Sequence, residues 1–251
     1  MRVSEEWLVL REPADAAARA SELVELLPET RSHVIHDLGC GSGSMGRWLA
    51  PRLSGPQHWV LHDRDPDLLD VAAASPPEGV SVETRVSDIT QLEPRDLEDA
   101  TLITASALLD MFTKDELARF VETCAAARCP ALVTLSVIGR VELTPPHPLD
   151  ERIEAAFNAH QHRDGLLGPD AVAVAAERFR ALGMEVIVRP SPWRLGSAEA
   201  ELATEWFRGW VGAACEQEPD LEAEDYSRER LAQLAVTVHH ADLLALPRSG
   251  G

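Results

Sequence analysis

Residues 36–48 read His-Asp-Leu-Gly-Cys-Gly-Ser-Gly-Ser-Met-Gly-Arg-Trp, and two glycine patterns overlap in them. From Gly41 the run is G-x-G-x-x-G, the spacing with which a strand turns into a helix beneath a dinucleotide pyrophosphate. From Asp37 it is D-x-G-x-G-x-G, which suits a different adenosine-containing ligand. Both patterns share one physics. Gly39, Gly41 and Gly43 let the chain turn tightly and approach a ligand without Cβ interference. A helix N-terminus behind them adds the positive end of a dipole. Asp37 separates the two readings, because a carboxylate there opposes a diphosphate and attracts a ligand bearing ammonium and sulfonium groups.

Around this loop, short β-rich runs alternate with helical patterns, which argues for a parallel sheet covered on both faces. Strands are expected at 33–38, 58–63, 80–86, 100–106, 131–138, 184–190 and 234–240. A helix is expected over 13–27, and a short one from Ser44 with Met45, Trp48 and Leu49 inward, ended or kinked by Pro51. Asp65-Pro66-Asp67 is an N-cap, a proline at N1 and an acid in the first turn, predicting a helix through Ala74. Thr113 to Glu116 is a capping box opening a helix to about Ala127. Residues 140–150 read as a proline-punctuated loop, 151–162 as a helix, and Gly168-Pro169-Asp170 as the start of another with Val172, Ala176, Phe179 and Leu182 inward and Gly183 as its stop. Between 191 and 230 a helical insertion precedes the last strand.

Asp63 ends the second strand twenty residues past Gly43, where it suits a ribose diol, and Asp88 ends the third, where it suits an adenine amino group. Three acids at successive carboxyl ends of a parallel sheet, without a compensating cation, favour a cationic adenosine ligand.

These stretches, V-I-H-D-L-G-C-G-S-G, L-H-D-R-D-P, S-D-I and A-T-L-I-T-A-S, resemble motifs I to IV of the class I S-adenosylmethionine-dependent methyltransferases over roughly residues 30–140. The resemblance implies a three-layer αβα, Rossmann-like fold with a seven-stranded, mostly parallel sheet. It adds helical insertions at the N-terminus, after strand five and between strands six and seven. It implies one domain over 1–251, with a cofactor-binding half (about 30–140) and a substrate-side half (about 141–251) carrying the insertion 191–230. It further implies that Asp37, Gly39, Gly41 and Gly43 serve the methionine part of S-adenosylmethionine. Asp63 would bind the ribose, Arg64 would cover the adenine, Asp88 and Ile89 would bracket its edge, and Ser106 would lie near the sulfonium. Gly46 keeps an NAD(P)-dependent oxidoreductase as the alternative, and a non-catalytic protein that holds S-adenosylmethionine is a third.

The chain has 251 residues, 45% of them hydrophobic, and a net charge of -19. Such a surface repels phosphate backbones and anionic lipid. After strand four, Ser106-Ala-Leu-Leu-Asp-Met111 lacks the Asn/Asp-Pro-Pro-aromatic run of base-amine methylating enzymes. A small-molecule substrate is therefore expected, with no nucleic acid, membrane or metal partner, in a monomer or homodimer. Four cysteines without C-x-x-C spacing, and an N-terminal stretch lacking signal-peptide character, point to the cytoplasm. One lysine among 23 basic residues suggests a high-GC bacterial source and secondary metabolism.

Candidates for the chemistry lie after strands four, five and six. His160 shares a helical face with Ile153, Ala156 and Phe157, and stands either as a general base or as a histidine against the core. Asn158 and His162 share another face, expected to be solvated. His147 is a base on a lid or a loop residue, and Asp110 binds a substrate amine or stands exposed at the head of the next helix. Trp193, Arg194 and Trp206 are candidates for substrate contact, with Leu202, Trp206 and Trp210 forming a stripe and Trp7 joining them. His239, His240 and Asp242 lack further ligands at metal spacing.

Overall fold

The computed structural model describes residues 4–248. Along the chain lie α1 (Glu5–Ala18), β1 (His33–Leu38), α2 (Ser44–Leu49), β2 (Gln57–Asp63), α3 (Pro66–Ala74), β3 (Val80–Val86), β4 (Leu102–Ser106), α4 (Lys114–Ala126) and β5 (Ala131–Thr144). Then follow α5 (Asp150–Gln161), α6 (Ala171–Ala181), β6 (Glu185–Pro190), β7 (Trp193–Leu195), α7 (Ala200–Gln217), α8 (Glu224–Ala232) and β8 (Ala235–Leu246). The sheet order is β3-β2-β1-β4-β5-β8-β6, with β7 pairing β8. Strands β1 to β5 pair in parallel, and β8 runs antiparallel to β5, β6 and β7. The expected three-layer α/β architecture is therefore present, with an eighth short strand added.

Two apolar clusters cover the faces of the sheet. One joins α4 and α6, through Leu117, Phe120 and Phe179, to Ile103 and Val133. The other joins α2 and α3, through Met45, Trp48 and Leu69, to Ile35 and Trp59. Phe179 is fully buried, and burial of such a ring contributes about 1.5–3 kcal/mol. A third cluster lies beyond the carboxyl ends of the strands, where α5, α7 and β7 pack Ile153, Phe207, Trp210 and Trp193 together. It turns that end of the sheet into a walled site.

Several boundaries differ from the sequence reading. The first helix runs Glu5–Ala18, begun by Ser4 accepting the Trp7 amide at 3.2 Å, and contains Pro13. It stops at Arg19 because the next amide, of Ala20, donates to Asp242 at 2.8 Å, a tertiary bond that replaces the helical ladder. A 3-10 turn over Ser21–Leu26 follows. Strand β5 passes through the expected loop to Thr144 by pairing with β8, with register shifts between Val133 and Ser136 and between Val137 and Val141. Strand β8 continues to Leu246 because residues 241–245 are buried between β5 and β6. The segment 191–230 is not wholly helical, since β7 pairs β8 there. Leu182 is 49% exposed, one residue past the end of α6.

Local signals hold elsewhere. Asp65 caps α3 with Pro66 at its start, and Thr113 and Glu116 form the reciprocal box on α4. Gly46 rests on Trp59, where an added Cβ would make ordinary contact at 3.6 Å. Its place is therefore close packing of α2 on the sheet.

Candidate functional site

The glycine loop leaves β1 with Gly39, Gly41 and Gly43 at φ of 69°, 54° and 84°, conformations that L side chains rarely adopt. The amides of Gly39 and Cys40 both donate to the His62 carbonyl, at 2.8 and 2.9 Å, tying the loop to the end of β2. Asp63, next in β2, accepts the Gly41 amide at 2.9 Å on one oxygen and the Asp65 amide at 3.0 Å on the other. Helix α1 closes over this loop. A Cβ at Gly41 would meet Leu8 at 3.3 Å, and Glu12 pairs with Arg47 of α2 at 2.6 Å.

Asp37 lies beneath the loop, 1% exposed, and its Oδ1 accepts from Thr104 Oγ1 at 2.7 Å. Its Oδ2 is buried without a partner. Burial pushes its carboxyl up to about 6, against the lowering effect of Thr104 and of Arg19. Arg19 is the cation that the sequence reading missed. It is 4% exposed and donates to Ser44 at 3.2 Å, Ser106 at 3.1 Å and Thr134 at 3.4 Å. Its Nη1 is buried without a partner. Thr104 and Ser106 are two apart in β4 and share one face, so the two side chains that each keep one unmet atom, Asp37 and Arg19, lie near each other. The only sequence signal for Arg19 is an arginine inside an alanine-rich helical run.

Just past these residues both strands leave extended geometry. Ala107 follows Ser106 at φ 52°, and Leu135 follows Thr134 at φ 57°. Such conformations in residues other than glycine store strain and cluster at functional sites. The kinks are held by Ala107 donating to the Thr134 carbonyl at 2.9 Å and by Leu135 donating to buried Asp242 at 2.7 Å.

Ala107 and Leu135 form part of the wall of a cavity of about 200 Å³, whose other walls include Trp7, Asp110, Phe157, Asn158, Trp193 and Trp206. Of the expected site residues, Asp110, Trp193 and Trp206 thus meet in one cavity, and Ser106 sits behind it. Asn158 lines the cavity instead of facing solvent, because its Nδ2 donates to the Gly139 carbonyl at 2.7 Å. Asp110 is partly buried, and its carboxyl is raised by burial, opposed by its own backbone amide and by Arg11.

Three expected residues lie outside this cavity. His160 pairs with Glu216 at 3.1 Å across the seam of α5 and α7. His147 accepts the Leu149 amide at 3.1 Å and stands edge-on to Tyr226. Arg194 is exposed and lines a separate open groove with Glu142 and Thr144. Arg64 is exposed after β2, while Asp88 holds Thr90 at 3.0 and 2.8 Å and Ile89 packs beside Gly39. Among the described residues no group of three or more potential ligands could hold a metal ion, and no helix is long and apolar enough to cross a membrane.

Residues 35–130 match the family model described as a methyltransferase domain. No curated protein matches the chain. Among solved structures, the cyclopropane synthase MmaA2 from Mycobacterium tuberculosis is 14% identical, with 97% of this chain and 94% of that one covered and a TM-score of 0.56. A methyltransferase structure from Bacillus halodurans, described as putative in its name, is also 14% identical, covering 90% and 96%, with a TM-score of 0.54. At these identities the likeness is one of fold. The fold is that of the class I S-adenosylmethionine-dependent methyltransferases. Within it, the similarity to the methyltransferase-domain model spans residues 35–130, the half that carries the glycine loop.

Proposed function

We propose that the chain transfers a methyl group from S-adenosylmethionine to a small molecule. The observation that carries this reading is the buried pair of unmet polar atoms, Asp37 Oδ2 and Arg19 Nη1. A carboxyl and a guanidinium near each other, each with one unmet atom, fit the α-ammonium and α-carboxylate of an amino acid. Buried polar groups without partners are costly, so a ligand that meets both gains accordingly.

In this reading Gly39, Gly41 and Gly43 carry the methionine part, Asp63 the ribose hydroxyls, Arg64 the adenine face, and Asp88 and Ile89 its edge. Ser106 and Thr134, both bonded to Arg19, set the depth at which the cofactor stops. When bound, S-adenosylmethionine supplies an electrophilic methyl group. The protein's part is to hold the acceptor in line with it and exclude water, which the aromatic cavity beyond Ala107 and Leu135 suits. The size of that cavity, together with a net charge of -19, favours a small acceptor over a nucleic acid. The chain acts as one domain, with 30–140 binding the cofactor and 141–251 the acceptor, as a monomer or homodimer in the cytoplasm. Its lysine-poor composition suits a bacterial enzyme of secondary metabolism.

Calorimetric titration with S-adenosylmethionine, S-adenosylhomocysteine and NADH tests the reading. Both sulfur compounds should bind and NADH should not. Binding of NADH alone would overturn it in favour of an oxidoreductase.

A further inference from the structure

The polar groups of the aromatic cavity divide unevenly between donors and acceptors. Arg11 is held by Asp15 through two hydrogen bonds, at 2.9 and 3.2 Å, and its guanidinium lies 5.0 Å from the centre of the Trp193 ring. Arg140 is paired with Glu142. Both cations are therefore matched by carboxylates of their own. The acceptors are not matched. Among the described residues Asp110 pairs with no other side chain; its carboxyl receives only its own backbone amide, and Arg11 acts on it only from a distance. Asn158 Oδ1 and Gln161 Oε1 are buried without partners, as is Nδ1 of His240, a ring that burial holds down to about 3 and so keeps uncharged. The orientation of the Asn158 amide is fixed, because its nitrogen is the atom that reaches the Gly139 carbonyl.

An unpaired carboxylate and two unpaired carbonyl oxygens call for a ligand rich in hydrogen-bond donors and positive in charge. The indole faces of the wall are electron-rich and attract cations, as Arg11 over Trp193 already demonstrates. The protein's negative charge raises the local concentration of a cationic ligand. At about 200 Å³, the cavity exceeds the 150 Å³ in which benzene is accommodated, so a single or fused ring with a short arm fills it.

We infer that the methyl acceptor is a compact arylalkyl amine, bound as its ammonium form by Asp110 with Asn158 and Gln161, its ring lying among Trp7, Phe157 and Trp206. This rests on the methyltransferase reading above. For transfer, the ammonium gives one proton to the Asp110 carboxylate, which frees the nitrogen lone pair. The nitrogen–methyl bond then forms as the methyl–sulfur bond breaks, and the sulfur keeps that electron pair.

The experiment titrates tryptamine, phenethylamine, 3-phenylpropanol and 3-phenylpropionate into the protein saturated with S-adenosylhomocysteine, and into the protein alone. The amines should bind at least about tenfold more tightly than the alcohol, the size of one charge-assisted hydrogen bond, and the carboxylate should bind weakest. Asp110→Asn should remove that amine preference and leave affinity for the alcohol and for S-adenosylhomocysteine unchanged, which shows the variant to be folded. Equal or tighter binding of the alcohol or the carboxylate, no binding of either amine, or an Asp110→Asn variant that keeps the preference would overturn the inference. Failure of S-adenosylhomocysteine to bind would instead remove the methyltransferase reading, while titration of the protein alone still judges the cavity.

Discussion

The Asp63 carboxylate receives the Gly41 amide at 2.9 Å, so the acid at the end of β2 anchors the glycine loop that follows β1. Its second oxygen takes the Asp65 amide, and the same carboxylate is the one placed for a ribose diol. Asp63→Ala therefore removes a loop anchor together with a ligand contact. Hydrogen bonds to a charged group contribute about 1.5–3 kcal/mol, so affinity for S-adenosylhomocysteine should fall about 10- to 100-fold. Asp63→Asn, which keeps one acceptor oxygen, should lose less. Calorimetry on the three proteins checks the order, and unchanged affinity in the alanine variant would remove the ribose assignment.

Arg19 is held by Ser44, Ser106 and Thr134 with one guanidinium nitrogen left over. If that nitrogen serves the ligand's carboxylate, Arg19→Met should weaken S-adenosylhomocysteine about tenfold or more. It should leave 5′-methylthioadenosine, which lacks the amino acid part, nearly unaffected. Parallel calorimetric titrations of the two ligands discriminate a ligand contact from a purely structural role. A structural role would lower both affinities equally.

What the sequence discloses and what it conceals follow from the range of the interactions. The Asp65 cap and the Thr113–Glu116 box are legible because each bonds within a few residues of itself, and the glycine loop because its positive-φ positions call for glycine whatever they bond to. The end of α1 is not legible. It is set by Asp242, 222 residues away from Ala20, and the same distant bond delivers Arg19 to the site. Asn158 reads as a solvent-facing polar residue until β5 extends past Gly139 and brings a carbonyl to it. The strand character of 139–144 was masked by Gly139 and by the prolines after it, which are local breakers overruled by pairing with β8. The glycines and acids of the cofactor side are local and readable. The aromatic cavity is assembled from α1, the segment after β4, β5, α5, β7, α7 and β8, and no single stretch announces it.

His160 offers a prediction in the opposite direction. Its ring pairs with Glu216 on the α5–α7 seam, where the Glu216 side chain is 68% exposed, and exposed pairs contribute about 0–1 kcal/mol. His160→Ala should leave amine and S-adenosylhomocysteine affinity unchanged and lower the melting temperature only slightly. His147→Ala, with its ring against Tyr226, should behave likewise toward ligands. A large loss of methyl transfer in either variant, with binding intact, would restore the histidine as a general base.

His62 makes stability depend on pH. Its Nε2 lies 3.0 Å from His36 Nδ1 and its Nδ1 lies 3.1 Å from Ser87, while His36 reaches Asp99 at 3.0 Å. Burial, reinforced by the charges of His36 and Arg85, pushes the His62 imidazole down to about 4 from 6.5. Between those values the unfolded chain takes up a proton that the folded one refuses. The His62 contribution is thus intact above pH 6.5 and is lost as the pH falls toward 4. Asp37, raised to about 6, works in the opposite sense, because in the folded state its carboxyl holds a proton that the unfolded chain has released. The total pH dependence sums these with other buried groups, His36 and His240 lowered and Asp242 raised by burial, so the informative quantity is the difference between the parent and His62→Asn. The difference in slope should approach about 1.4 kcal/mol per pH unit near the middle of the window. Melting temperatures taken from neutral pH down to about pH 5 should therefore fall more steeply in the parent than in the variant. Parallel curves for the two proteins would mean that the His36–His62 pair accepts its proton without cost in the folded state.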